Sequence, residues 1–227
     1  MKTKLFTLSI VFLMLAISLS LAQDPIAVVV KIQGEVTVQY EKTGNRQSLK
    51  RGTKLYSGAI IVAKEKSTAA VVFVDDKSMV RIRPNSILTV SGQREKNTIA
   101  KNISIEVGTI FSQITKPRSS FQVITPTSVA SVKGTSFWTQ QIFRGGTYYY
   151  GDEGGPTEVS NKAGSALFRA DETCYVASEN AKPIVQKTKP GEKPGFGEDD
   201  SIDEFEFNFE NERGETKTLR FKTRIKQ

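Results

Sequence analysis

The chain has 227 residues, 38% of them hydrophobic and 25% charged, enough for one or two globular domains with a buried core. It holds 32 Lys and Arg against 24 Asp and Glu, and no histidine, so Ser-His-Asp and Cys-His catalysis, histidine-ligated metals and a histidine pH switch are all excluded. The single cysteine, Cys174, rules out an internal disulfide or a cysteine-rich metal site, and in an exported chain it reads as a small buried hydrophobe.

Lys2 and Lys4 precede an apolar run from Leu5 to Leu21, and Ser20-Leu21-Ala22 places small residues before Gln23. That is the pattern of a cleaved signal peptide over residues 1–22. The run is at the lower edge for a membrane span, so only an uncleaved leader would tie the chain to a membrane. No cysteine stands at the cleavage point for a lipid anchor. The expected location is periplasmic or secreted.

Beyond Gln23, short runs rich in Val, Ile, Thr, Phe and Tyr are punctuated by Gly, Asn, Asp and Pro about every ten residues, the all-β pattern. The predicted strands, in chain order, begin with Ile26–Ile32, Gly34–Tyr40, Ala59–Ala63, Thr68–Val74, Met79–Arg83, Ile87–Val90 and Ile99–Val107. They continue with Thr109–Ile114, Phe121–Thr125, Ser136–Phe143, Thr147–Tyr150, Thr157–Ser160, Ala166–Ala170 and Cys174–Ala177. Turns fall at Thr43–Asn45, Asp75–Lys77, Arg144–Gly146 and Asn161–Gly164. No stretch of ten residues has helical periodicity. A strand-opening glycine recurs at Gly34 and Gly108, with Gly155 where a third would stand. This suggests stacked antiparallel layers, a sandwich or a short β-solenoid.

An ordered set of segments carries a resemblance. Leu49-Lys50-Arg51-Gly52-Thr53-Lys54-Leu55-Tyr56-Ser57-Gly58 precedes Ile60-Ile61-Val62, and Ala69 to Val74 leads through Asp75-Asp76-Lys77 into Met79-Val80-Arg81-Ile82-Arg83-Pro84. Val107-Gly108-Thr109-Ile110-Phe111 and Phe121-Gln122-Val123-Ile124-Thr125-Pro126 follow, and Val129 to Phe137 closes the set with Gly134-Thr135 at its centre. From Val28 to Ser178 this resembles the periplasmic domain of the FecR family, the ferric-citrate regulators. The resemblance implies an all-β envelope domain that works by protein contact or ligand sensing, without catalysis or cofactor. It makes Gly52, Gly58, Gly108, Gly134, Thr135 and Phe137 structural positions. Signalling members carry an anti-sigma segment and a transmembrane helix ahead of this domain. Here only 22 residues precede it, so the sigma-factor role is not carried over. Asp76 stands where a glycine is usual, Ala59 where an acidic residue is, Pro156 where a strand valine is, and Asp171 where a glycine is expected.

Candidate chemistry is sparse. The pairs Asp75/Asp76 and Asp152/Glu153 lie in predicted turns, and neighbours along a strand point to opposite faces, so no shared acid–base or cation site is expected. Gly151–Gly155 reads as a turn without the strand-to-helix setting of a phosphate loop. Arg81 and Arg83 share one face of their strand, opposite Val80 and Ile82. Tyr148 and Tyr150 share a face while Tyr149 takes the other. With Trp138, these tyrosines and arginines are the candidate binding residues for a protein or carbohydrate. Residues 23–188 carry 22 Lys and Arg against 14 Asp and Glu, which suits anionic envelope partners. Nucleic acid is not expected.

After a Pro/Gly/Lys linker at 189–197, the last segment, 198–227, divides by charge. Glu198–Glu215 holds nine acidic residues and one basic, and Lys217–Lys226 holds five basic residues and no acidic one. Phe205, Phe207 and Phe209 alternate with polar residues, as do Leu219 and Phe221, which predicts an amphipathic β-hairpin. Alone it would be marginal. It docks either on its own domain or on a partner's sheet edge or groove, so its three Phe are candidate binding residues. The expected function is a non-enzymatic envelope scaffold or sensor that contacts another envelope protein, a cell-wall component or a small ligand. The alternative is a structural protein that self-assembles through sheet edges.

Overall fold

A computed structural model describes residues 24–114, 118–196, 205–210 and 216–221, so the expected signal peptide lies outside the described residues. Among the described residues there is no helix, hence none long and apolar enough to cross a membrane. The chain is all-β, as its sequence predicts.

The strands are β1 (Ala27–Gln33), β2 (Val36–Gln39), β3 (Gln47–Ser48), β4 (Lys54–Leu55), β5 (Ala59–Ala63), β6 (Thr68–Phe73), β7 (Met79–Ile82) and β8 (Ser86–Glu95). Then come β9 (Thr98–Gln113), β10 (Phe121–Ile124), β11 (Val129–Val132), β12 (Thr135–Gln141) and β13 (Thr147–Gly154). The last of the main body are β14 (Thr157–Asn161), β15 (Gly164–Phe168), β16 (Glu172–Val176) and β17 (Ile184–Lys187). A separate two-stranded sheet pairs β18 (Phe205–Glu210) with β19 (Thr216–Phe221).

Seventeen strands form one hydrogen-bonded network folded into two layers. The first layer runs β4-β1-β6-β7-β9-β12-β13-β16-β17. The second runs β3-β2-β5-β8-β9-β10-β11-β14-β15. Among the described strands only β9 and β10 pair in parallel. Strand β9 belongs to both layers: residues up to Val107 pair with β8, and Gly108–Gln113 pair with β12. The two strands predicted at Ile99–Val107 and Thr109–Ile114 are therefore one bent strand.

Gly108 makes the bend. Its φ is +108°, and a Cβ there would lie 2.5 Å from Ser86 Cα. The Thr109 N–H donates to the buried Ser86 Oγ at 3.0 Å. The crossing from β1 to β2 repeats the device, with Gly34 at φ +73° and the Glu35 N–H donating to Ser67 Oγ at 2.8 Å. The third corner uses Gly154, not the expected Gly155. Its φ is +100°, and a Cβ there would lie 2.7 Å from Gly134 O. Gly151–Gly154 is thus the end of β13 rather than a turn.

One apolar core fills the space between the layers, with Val29, Ile61, Phe73, Leu88, Ile103, Phe121, Phe137, Tyr149 and Phe168 among its members. Phe73 meets Phe121 edge-on across the layers at 6.1 Å, and Phe137 meets Phe168 at 6.0 Å. Thr135 Oγ1 and Thr157 Oγ1, one from each layer, share a hydrogen bond of 2.9 Å. Cys174 is fully buried, and burial pushes its thiol up to about 12.

Candidate functional site

The outer face of the first layer carries a second apolar cluster. Strand register builds it: Arg81 on β7 pairs with Phe111 on β9, Phe111 with Trp138 on β12, and Trp138 with Tyr150 on β13. Four strands thus put a guanidinium and three aromatic side chains in one row. The next outward row has Gln140 opposite Tyr148, Tyr148 opposite Tyr175, and Tyr175 opposite Ile184. Tyr148 lies 6.0 Å from Tyr150 in stacked geometry and 4.5 Å from Tyr175. Tyr149 faces the main core, where Ser128 Oγ is 2.9 Å from its hydroxyl.

This face holds a segment of the same chain. Past β17 the linker passes over it, and the Phe196 ring sits 4.8 Å from Trp138 and 4.9 Å from Phe111. The Arg81 guanidinium lies over the same ring, 4.5 Å from the Phe196 centroid. Three residues earlier, Lys193 Nζ reaches Asp152 Oδ1 at 2.9 Å. Trp138 is 1% exposed under this cover, whereas Phe196 itself is 46% exposed. Burial, reinforced by the nearby Glu192 carboxylate, pushes the Tyr150 hydroxyl up to about 12. The segment predicted to be a spacer is in contact with the sheet.

Of the predicted binding residues, the structure brings Arg81, Trp138, Tyr148 and Tyr150 together. Arg83 follows β7, its N–H bonded to Thr109 O at 3.0 Å. Phe205, Phe207 and Phe209 lie on the separate hairpin, in register with Phe221, Leu219 and Lys217, and Glu206 falls opposite Arg220. Phe111, Tyr175 and Phe196 were not singled out from the sequence. Phe111 and Tyr175 had a usable signal, since each alternates with core residues, but only register shows them level with Trp138 and Tyr148.

Asp75 and Asp76 also differ from expectation. Both carboxylates converge on Lys101 Nζ, each at 2.8 Å, and the three side chains are at most 2% exposed. Lys101 Nζ also donates to Ile99 O at 2.9 Å, and Asp76 Oδ1 accepts the Ser78 N–H at 2.9 Å. The pair shares a site because a turn, not a strand, carries it. That site is filled by a lysine and closed to substrate. Elsewhere an open depression of about 590 Å³ lies at the Gly34 corner, with Val62, Lys64, Asn85 and Val107 on its walls.

Residues 59–167 match the model of the family described as FecR protein. The resemblance read from Val28 to Ser178 is thus borne out over β5 to β15. Two crystal structures, at 1.65 and 2.50 Å, of a protein described as a "putative anti-sigma factor" from Parabacteroides distasonis ATCC 8503 are similar at 16% identity and a TM-score of 0.49. Each alignment covers 57% of this chain and 60% of that one. No curated protein matches the chain.

Proposed function

We propose that this FecR-type chain is a non-enzymatic regulatory or sensor module of the bacterial cell envelope, periplasmic or secreted, that recognises a partner protein through the outer face of its first layer. One observation carries the reading: two in-register rows of aromatic side chains beside Arg81, with the chain's own Lys193–Phe196 laid against the first of them. Aromatic side chains offer large contact area at little conformational cost, and Arg adds a cation–π partner. The resident segment indicates the ligand chemistry. An extended peptide is favoured, with an aromatic ring between Arg81, Phe111 and Trp138 and a basic residue against Asp152.

Crosslinking capture from envelope extract tests this, using residues 23–227 and two variants. Tyr148→Ser with Tyr175→Ser should lose a partner that the parent chain captures. Phe196→Ala, which vacates the face, should capture more of it. Equal capture by all three would place recognition elsewhere. Recovery of cell-wall glycan in place of protein would put the ligand in the other class. Self-assembly through sheet edges has an observation of its own in the uncharged strand β15.

A further inference from the structure

The two ends of the sandwich are guarded unequally. At one end the terminal strands, β3 and β4, are two residues long, and β4 carries Lys54. Short and charged edges resist pairing with another chain. At the other end the terminal strands are β15 in one layer and β17 in the other, and these two lie next to each other across the sandwich. Strand β15, Gly-Ser-Ala-Leu-Phe, has no charge and no proline. Strand β17, Ile-Val-Gln-Lys, has a single charge at its last residue. Each edge exposes one large aliphatic side chain, Leu167 at 52% and Ile184 at 61%.

We infer that this end is an interface for a second copy of the chain, joined edge to edge about a two-fold axis. The geometry favours a second copy over any other strand. A two-fold axis perpendicular to the layers reverses strand direction while keeping each layer in its own plane. One such axis beyond the open end sets β15 antiparallel to its own mate and, in the same operation, β17 antiparallel to its mate. Both rows of N–H and C=O groups that have no strand partner among the described residues are then satisfied, and both layers continue across the junction. Such an axis sets residues of one face opposite each other, so with Val185 opposite its own copy Ile184 meets Gln186, Lys187 falls past the mate's Ile184, and no lysine meets its copy. Leu167 and Ile184 are covered on opposite outer faces. A lone strand from another protein, or the β18–β19 hairpin, could serve one edge but has no reason to match the two together.

Sedimentation velocity on residues 23–227 over a wide concentration range tests the inference, paired with amide hydrogen exchange. The expected result is a concentration-dependent doubling of mass. Protection of amides in 164–168 and 184–187 should appear with the dimer and vanish on dilution. Leu167→Lys with Ile184→Lys, at exposed positions that spare the core, should weaken association at least about tenfold by removing both aliphatic contacts and setting each new lysine diagonal to its own copy across the junction. Three outcomes would overturn it: a monomer throughout, a dimer indifferent to the two lysines, or edge amides protected equally at every concentration. The last would mean that the chain's own hairpin covers the edge.

Discussion

Lys101 and Asp76, 25 residues apart in the chain, meet at 2.8 Å beneath Phe73, with both side chains sealed from solvent. Asp75 completes the group, and its Oδ1 has no hydrogen-bond partner among the described residues. A buried ion pair is weak evidence of stability in itself, but losing one member leaves an uncompensated charge. Lys101→Met should therefore cost about 3–5 kcal/mol, read as a lower urea midpoint. Adding Asp75→Asn and Asp76→Asn to that variant should recover part of the loss, since the charges go together. A single Lys101→Met variant within about 1 kcal/mol of the parent would show that the triad does not hold the β6–β7 turn against β9.

Gly108 and Gly52 separate conformational strain from crowding. Both have positive φ, +108° and +85°, but a Cβ at Gly52 meets nothing within 4 Å while one at Gly108 runs into the Ser86 backbone. Gly52→Ala should cost about 1–2 kcal/mol, the left-handed penalty alone. Gly108→Ala should cost more than about 3 kcal/mol, because β9 can no longer pass between layers against β8. Chemical denaturation of the two variants makes the comparison. Equal losses would mean that Ser86 yields and the corner is soft.

The fold was legible because alternation and turn residues mark strands locally. Thr68–Phe73 and Met79–Ile82 formed the hairpin that their apolar runs and the Asp-Asp-Lys turn indicate. Misses occurred where the signal is not local. Strands β3 and β4 are two residues long, too short for any period, and exist because β2 and β1 offer them backbone partners. Asp76 sits where the resemblance expects glycine, and nothing nearby in sequence announces that its counter-ion is Lys101. The aromatic face was half legible. Trp138, Tyr148 and Tyr150 stand out by type, but Phe196 lies in a Pro/Gly stretch whose composition reads as a spacer, and its partners come from three different strands.

Alkali should reveal the two buried tyrosines. Burial, for Tyr149 against its hydrogen bonds to Ser128 and Thr125 and for Tyr150 with added repulsion from Glu192, pushes both hydroxyls from 10.0 up to about 12. With the folded value above the unfolded one, their contribution to stability is complete below about pH 10 and is lost as pH climbs through about 12. Absorbance at 295 nm should show a late phase that coincides with loss of near-ultraviolet dichroism, and Tyr149→Phe should shrink it. If all six tyrosines ionise in one phase near pH 10 with the fold intact, the two rings are not sealed as described.

Trp138 is the chain's only tryptophan, so its emission reports directly on the linker that covers it. Phe196 is nearly half exposed and held by one aromatic cluster and one cation–π contact, which are worth about 1 kcal/mol each. Phe196→Ala should thus lower stability by only about 1–2 kcal/mol, leaving the sandwich folded at room temperature. Yet it should open one side of Trp138 to water, shifting emission to the red and raising acrylamide quenching. Asp152→Asn, which frees Lys193 but leaves the ring in place, should move the emission less. The two variants together locate the anchor. An emission maximum unchanged by Phe196→Ala would mean that the linker does not rest on Trp138 in solution, and the aromatic face would then be open without any displacement.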